Sequence, residues 1–223
     1  MVSVDTVYQK VLALANKEQR GYITPQDFNL FANQAQMEIF EQYFYDINQW
    51  TRQHGNSTGH SDILTNLEEK VSLFERYDQV AGVSNELGDV DMTTGLPNLY
   101  RLEMVRVDYQ ENSGFVVEAL GNVFCEILNT KDFNDARKGG PLTKPSDSRP
   151  IVNIRGNIIR CVGSNDSFIT ISGFIYFRIP TKVNWTYVVI NKQAMYDANP
   201  STQDFELHRS EENQLVNKIL MLA

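Results

Sequence analysis

The chain has 223 residues, 42% of them hydrophobic and 22% charged, and 28 acids against 20 bases set a formal net charge of −8. Those proportions exclude wholesale disorder, and the acidic balance excludes a dedicated nucleic-acid-grasping surface, which needs clustered cations. Two cysteines exclude a disulfide scaffold, and no apolar run reaches the ~18 residues of a spanning helix. Met1-Val2-Ser3-Val4-Asp5 lacks the basic and apolar regions of a signal peptide.

Residues 1–79 read as a helical region. Val7, Tyr8, Val11, Leu12 and Ala15 recur at helical spacing and predict a short first helix, ended at Arg20-Gly21. Thr24 is then a good N-cap, with Pro25 at the first helical position and Asp27 able to reach back to the cap. Phe28, Phe31, Ala35, Ile39, Tyr43, Ile47 and Trp50 form one stripe, and no Gly or Pro interrupts it up to about Gln53. One long amphipathic helix follows, with Phe28, Phe31, Ile39, Tyr43 and Ile47 serving as helix core or as a subunit contact. A polar loop, His54 to His60, leads to a third helix capped by Ser61 or Asp62, with Leu64, Leu67, Val71 and Phe74 on its apolar side.

Residues 80–205 change to β character. Strands are predicted at Tyr100–Tyr109, with a slip of phase between Met104 and Val105, and at Phe115–Leu120. Ile151–Ile154 and Ile158–Val162 flank Arg155-Gly156-Asn157 as a hairpin. Phe168–Ile179 and Trp185–Ile190 complete an antiparallel sheet or sandwich. Residues 136–150 hold Arg137, Lys138, Lys144 and Arg149 against the single acid Asp147 and read as a long exposed loop. Either it is solvated, or it is an arm that docks on an acidic partner or on passing nucleic acid. Residues 206–223 form a C-terminal helix, capped by Ser210, with Glu211 and Glu212 in its first turn and Leu215, Ile219 and Leu222 packing on the helical region or on a neighbour. The fold class is therefore α+β: an antiparallel helical bundle, a central antiparallel β-domain and a short final helix.

Chemistry-bearing motifs are scarce. Gly139-Gly140-Pro141-Leu142-Thr143-Lys144 lacks the strand–loop–helix context of a phosphate cradle. His54, His60 and Asp62 sit in or beside a Gly-bounded loop, which gives zinc no rigid frame, so neither a metal nor any other cofactor is expected. Cys125 and Cys161 read as small buried hydrophobes, with one bridge between them as the alternative. Glu103 with Asp108, and Glu118 with Glu126, are pairs of carboxylates that nothing selects for catalysis. Trp185, Tyr187 and Tyr176 support a rival assignment, a β-rich adhesive or glycan-binding module.

The run Gly21-Tyr22-Ile23-Thr24-Pro25-Gln26-Asp27-Phe28-Asn29, continued by Ala32-Asn33-Gln34-Ala35-Gln36 and Glu38-Ile39-Phe40-Glu41, resembles the N-terminal region of virion proteins from crAss-like and related short-tailed phages of Bacteroidetes. Gly140-Pro141-Leu142-Thr143 with Arg149-Pro150-Ile151, and Asp204-Phe205-Glu206-Leu207-His208 with Ser210-Glu211-Glu212-Asn213-Gln214-Leu215-Val216, extend the resemblance to the middle and the end. It implies a neck or head-to-tail connector ring, similar to the tail tubular protein A type of adaptor. Such a subunit is non-enzymatic and is made in the host bacterial cytoplasm. It closes into a ring, twelvefold to match the portal, between the portal and the adjacent neck and tail rings of the virion. DNA passes through without specific binding, and no membrane is involved.

Overall fold

A computed structural model describes residues 1–17, 23–52, 58–78, 89–92, 96, 98–110, 119–140, 142–146, 148–163, 171–191 and 193–223. In chain order the helices are α1 (Val4–Lys17), α2 (Pro25–Arg52), α3 (Thr58–Ser72), α4 (Thr130–Lys138) and α5 (Glu212–Leu222). The strands are β1 (Glu75–Asp78), β2 (Asp89–Asp91), β3 (Leu99–Gln110), β4 (Ala119–Phe124), β5 (Glu126–Leu128), β6 (Ile151–Arg155), β7 (Ile158–Val162), β8 (Ile171–Arg178), β9 (Tyr187–Ile190) and β10 (Gln193–Tyr196). The fold class is α+β, as the sequence implies. The chain forms two compact units, Met1–Phe74 with Pro180–Ala223, and Glu75–Ile179.

In the helical unit, α2 starts where Thr24 and Pro25 predict. The Thr24 hydroxyl accepts the Asp27 N–H (3.2 Å) and donates to the Asp27 carboxylate (2.5 Å). Its 28 residues span about 42 Å at ~1.5 Å per residue. One face buries Phe28, Ala32, Ala35, Ile39, Phe40 and Tyr43; α2 packs on α3 and α5, and α5 also packs on α1. Tyr8 meets Phe28 edge to face at 4.8 Å, and Phe40 meets Phe74 in the same way at 4.8 Å. The expected end of α1 at Arg20-Gly21 and the residue His54 lie outside the described residues. Helix α3 begins at Thr58, earlier than the expected Ser61 or Asp62. A first turn has no intrahelical donors to lose, so Gly59 enters it at little cost. At the other end, Ser210 is not the cap. The His208 ring accepts the Ser210 N–H (3.3 Å) and opens a 3-10 turn, Arg209–Glu211, that runs into α5.

The predicted boundaries 80–205 and 1–79 need correction. Residues Glu75–Asp78 are already a strand, and residues 180–205 return to the helices. Val183, Trp185 and Phe205 are buried there. The cause is polar. Asn33 donates to the Val183 carbonyl (2.9 Å) and accepts the Val183 N–H (2.7 Å). Asn29 does the same for Trp185 (3.2 and 2.8 Å). Gln36, also buried, donates to the Thr181 carbonyl (2.8 Å) and accepts the Glu206 N–H (3.2 Å). Three side-chain amides at helical spacing thus serve one edge of an extended backbone, whose Asn184 bridges to Gln203 on the other. Glu206 accepts the Thr181 N–H at 2.8 Å. The strand predicted at Trp185–Ile190 shortens to Tyr187–Ile190, because Trp185 is committed to this core.

In the other unit, two four-stranded sheets share a core. Their orders are β1-β8-β3-β4 and β2-β7-β6-β5, antiparallel except for the β5–β6 pair. Val105, Val107, Phe174 and Tyr176 face Val90, Val152, Ile159 and Cys161. The predicted hairpin is present, with Ile151 opposite Val162 and Gly156 at φ 59°. Strand β3 shifts register between Leu102 and Met104, one step from the expected slip. Of the predicted strand Phe115–Leu120, residues 115–118 lie outside the described residues, and Ala119-Leu120 open β4. The described part of the strand predicted at Phe168–Ile179 is Ile171–Arg178. Helix α4 buries Phe133 on Ile151 and Val162, so the second sheet is covered on both faces.

Candidate functional site

The segment 136–150 is not a continuous loop. Arg137 and Lys138 are the last turn of α4, where cations complement the C-terminal carbonyls. The helix starts because Asn129 accepts the Asp132 N–H (2.9 Å). That Asn-x-x-Asp signal was available in the sequence. It was masked because α4 carries a single large apolar residue, Phe133, too few to show a stripe. Gly139 follows because a Cβ there would meet Thr143 Oγ1 at 2.0 Å. Ser146 and Arg149 then pair across a turn, and Pro145 and Pro150 are buried.

The four cations expected to dock a partner differ in their engagement. Arg149 holds Glu126 through two nitrogens, at 2.8 and 2.7 Å. Both side chains are largely exposed, so the pair contributes at most about 1 kcal/mol. Arg137 lies over the Phe133 ring at 5.8 Å. Lys138 and Lys144 are exposed and form no ion pair among the described residues.

The helical stripe resolves toward the chain's own core. Phe28, Ile39 and Tyr43 are buried within the helical unit, while Phe31 and Ile47 are half-buried. Tyr43 lies beside a nearly buried ion pair between Lys70 Nζ and Glu211 Oε1 (2.5 Å), with the ammonium 5.7 Å from its ring centre. Burial, then the Glu211 charge, pushes the Tyr43 hydroxyl well above the usual tyrosine value. That hydroxyl makes no hydrogen bond of good geometry.

The more telling surface is one the sequence only half disclosed. β9 has a partner, β10, turned by Asn191 at φ 52°. The two strands pair with each other alone among the described residues. Val188 is 47% exposed, Val189 62%, Ile190 50%, Met195 53% and Tyr196 40%. Successive residues of a strand face opposite sides, so both faces of this ribbon are apolar and open. Its root is fixed. The Trp185 indole is 1% exposed, donates to Asp5 Oδ1 (3.0 Å), and stacks with Tyr187 and Tyr196 at 5.7 and 6.1 Å. Tyr8 covers it at 3.9 Å. The apolar run Tyr187–Ile190 was legible, but Gln193–Tyr196 is only four residues long and gave no sign of pairing.

Of the three aromatics of the rival assignment, Tyr187 is half-buried on the ribbon. Trp185 and Tyr176 are core residues and cannot offer a sugar-stacking face. Among the described residues no group of three or more His, Cys, Asp and Glu is placed to hold a metal. His60 falls in the first turn of α3. Glu126 is engaged by Arg149 rather than by a second carboxylate. Glu103 is held above its ordinary value by partial burial and by the neighbouring charge of Glu75, with Arg101 opposing. Glu118 lies outside the described residues, and Asp108 stands on β3 with Glu103. Cys125 and Cys161 are free and buried, with their sulfurs in contact. No described helix is long and apolar enough to cross a membrane. No protein-family model matches the chain, and no curated protein matches it.

Proposed function

We propose that this chain is a non-enzymatic virion structural protein that closes into a ring in the phage neck, between portal and tail, around the passage for DNA. The observation that carries this reading is the β9–β10 ribbon. Two open strand edges and apolar side chains on both faces make a patch on the order of a few hundred Å², which marks an interaction surface. A closed ring needs a heterologous contact, in which one copy's surface docks on a different surface of the next. The ribbon supplies one half of such a contact. Lys138 and Lys144 supply cations for an acidic neighbour above or below the ring. A net charge of −8 favours a passage that repels DNA rather than holding it.

The test is native mass and negative-stain imaging of the wild-type chain beside Val189→Glu. The wild type is expected to form a closed ring of many subunits with a central hole. Val189→Glu is expected to stay monomeric with an unchanged melting midpoint, since Val189 already faces water. A wild-type chain that stays monomeric both alone and with a portal overturns the ring reading.

A further inference from the structure

Cys125 and Cys161 are the chain's only cysteines and stand 36 positions apart. The fold brings their sulfurs to 3.5 Å inside the core shared by the two sheets. Cys125 occupies the corner where the chain crosses from one sheet to the other. Its own N–H donates to Val105 of β3 (2.8 Å), and the next N–H, that of Glu126, donates to Pro150 beside β6 (2.9 Å). Cys161 lies on β7, an interior strand of the second sheet, opposite Val152. Two sulfurs in contact need to approach by only about 1.5 Å to reach bonding distance.

We propose that Cys125 and Cys161 are a covalent modification site: an oxidant of the small-disulfide class converts their contact into an intramolecular disulfide that ties the corner between the sheets to β7. Cys125 is 8% exposed and Cys161 0%, so Cys125 is the thiol uncovered first when the core opens and takes the first step. Its thiolate displaces one thiolate from the small disulfide and forms a mixed disulfide. Cys161 then attacks the Cys125 sulfur and releases the second thiolate. The two protons lost by the cysteines end on the two released thiols. The cysteine pair is oxidised and the small disulfide reduced.

Contact with Cys161, then burial, holds the Cys125 thiol well above its ordinary value. The closed fold therefore offers almost no thiolate, and exchange occurs during folding or when the core opens. A chain folded in a reducing interior keeps both thiols. The same chain refolded or transiently opened in an oxidising medium acquires the bridge. This inference does not depend on the ring reading.

The probe is oxidised glutathione, applied to the full wild-type chain in two arms. One arm exposes the native protein, and the other refolds it from denaturant. Remaining thiols are capped with iodoacetamide under denaturing conditions, and the intact mass is read. The refolded arm is expected to give a chain lighter by two hydrogens, uncapped, with a proteolytic fragment joining positions 125 and 161. The native arm is expected to reach the same product at least tenfold more slowly. The bridged chain should melt several degrees above the reduced one, and a dithiol reductant should reverse the rise. Two capped thiols after refolding, glutathione adducts without a bridge, bridges between chains, or a bridged chain that melts lower would each overturn the proposal.

Discussion

The two units solve one problem in opposite ways. Each must give hydrogen-bond partners to an extended backbone that is buried. In the unit Glu75–Ile179 the partners are neighbouring strands, and apolar side chains fill the space between sheets. In the helical unit the backbone at Thr181, Val183 and Trp185 finds most of its partners in Asn29, Asn33 and Gln36, which lie on a helix, while Glu206 takes the Thr181 N–H and only Asn184 pairs main chain to main chain, with Gln203. A strand ladder tolerates exchange of its side chains, because the bonds are main chain to main chain. An amide ladder does not, because each bond is owned by one side chain. The difference teaches where each unit is fragile.

The largest expected effect breaks the amide ladder. Asn33→Leu strands the N–H and C=O of Val183 in a buried site, at a cost of about 2–4 kcal/mol. A denaturant titration of the full chain should show it, and a midpoint within error of wild type would sink the ladder argument. The sheet unit has its own fragile point at Gly156, whose φ of 59° is left-handed although a Cβ there meets nothing within 4 Å. Gly156→Val should cost about 1–2 kcal/mol from backbone strain alone. Gly156→Asn, which tolerates that conformation, should recover most of the loss in the same titration.

A pH series probes the core behind the ladder. The Tyr43 hydroxyl titrates higher in the folded chain than in the unfolded one. Its contribution to stability is therefore complete below the unfolded tyrosine value, near pH 10, and is lost as pH rises beyond it. Tyr43→Phe removes that slope, so melting curves of the variant should hold up better than wild type above about pH 10. Parallel curves would show that Tyr43 ionises freely. The smallest effect is expected at the start of α2, where Thr24→Ala removes one cap and should cost about 1 kcal/mol, read as a shift of a few degrees in thermal midpoint.

How much of this was legible depends on the distance over which the deciding force acts. Thr24, Pro25 and Asp27 mark the start of α2 because capping is settled within one turn of chain. Ile151–Val162 announces its hairpin because Gly156 and the flanking β-branched residues act on each other locally. The same reach explains the misses. Asn29, Asn33 and Gln36 are indistinguishable in sequence from amides on a solvated face. Their partners arrive between 145 and 170 positions later. Trp185 looked like an aromatic platform because nothing near it in sequence announces Tyr8 and Asp5 as its cover.

By itself, then, the sequence determined the fold class, the long second helix, the hairpin and the acidic character of the chain. Each follows from composition or from contacts a few residues apart. Only the tertiary structure decided that residues 180–205 belong with the helices, that most of the Phe28–Ile47 stripe is core, that two distant cysteines touch, and that the ribbon at 187–196 is left open. These depend on which surfaces meet across the chain. A hydrophobic pattern says that a face must be covered, but not what covers it.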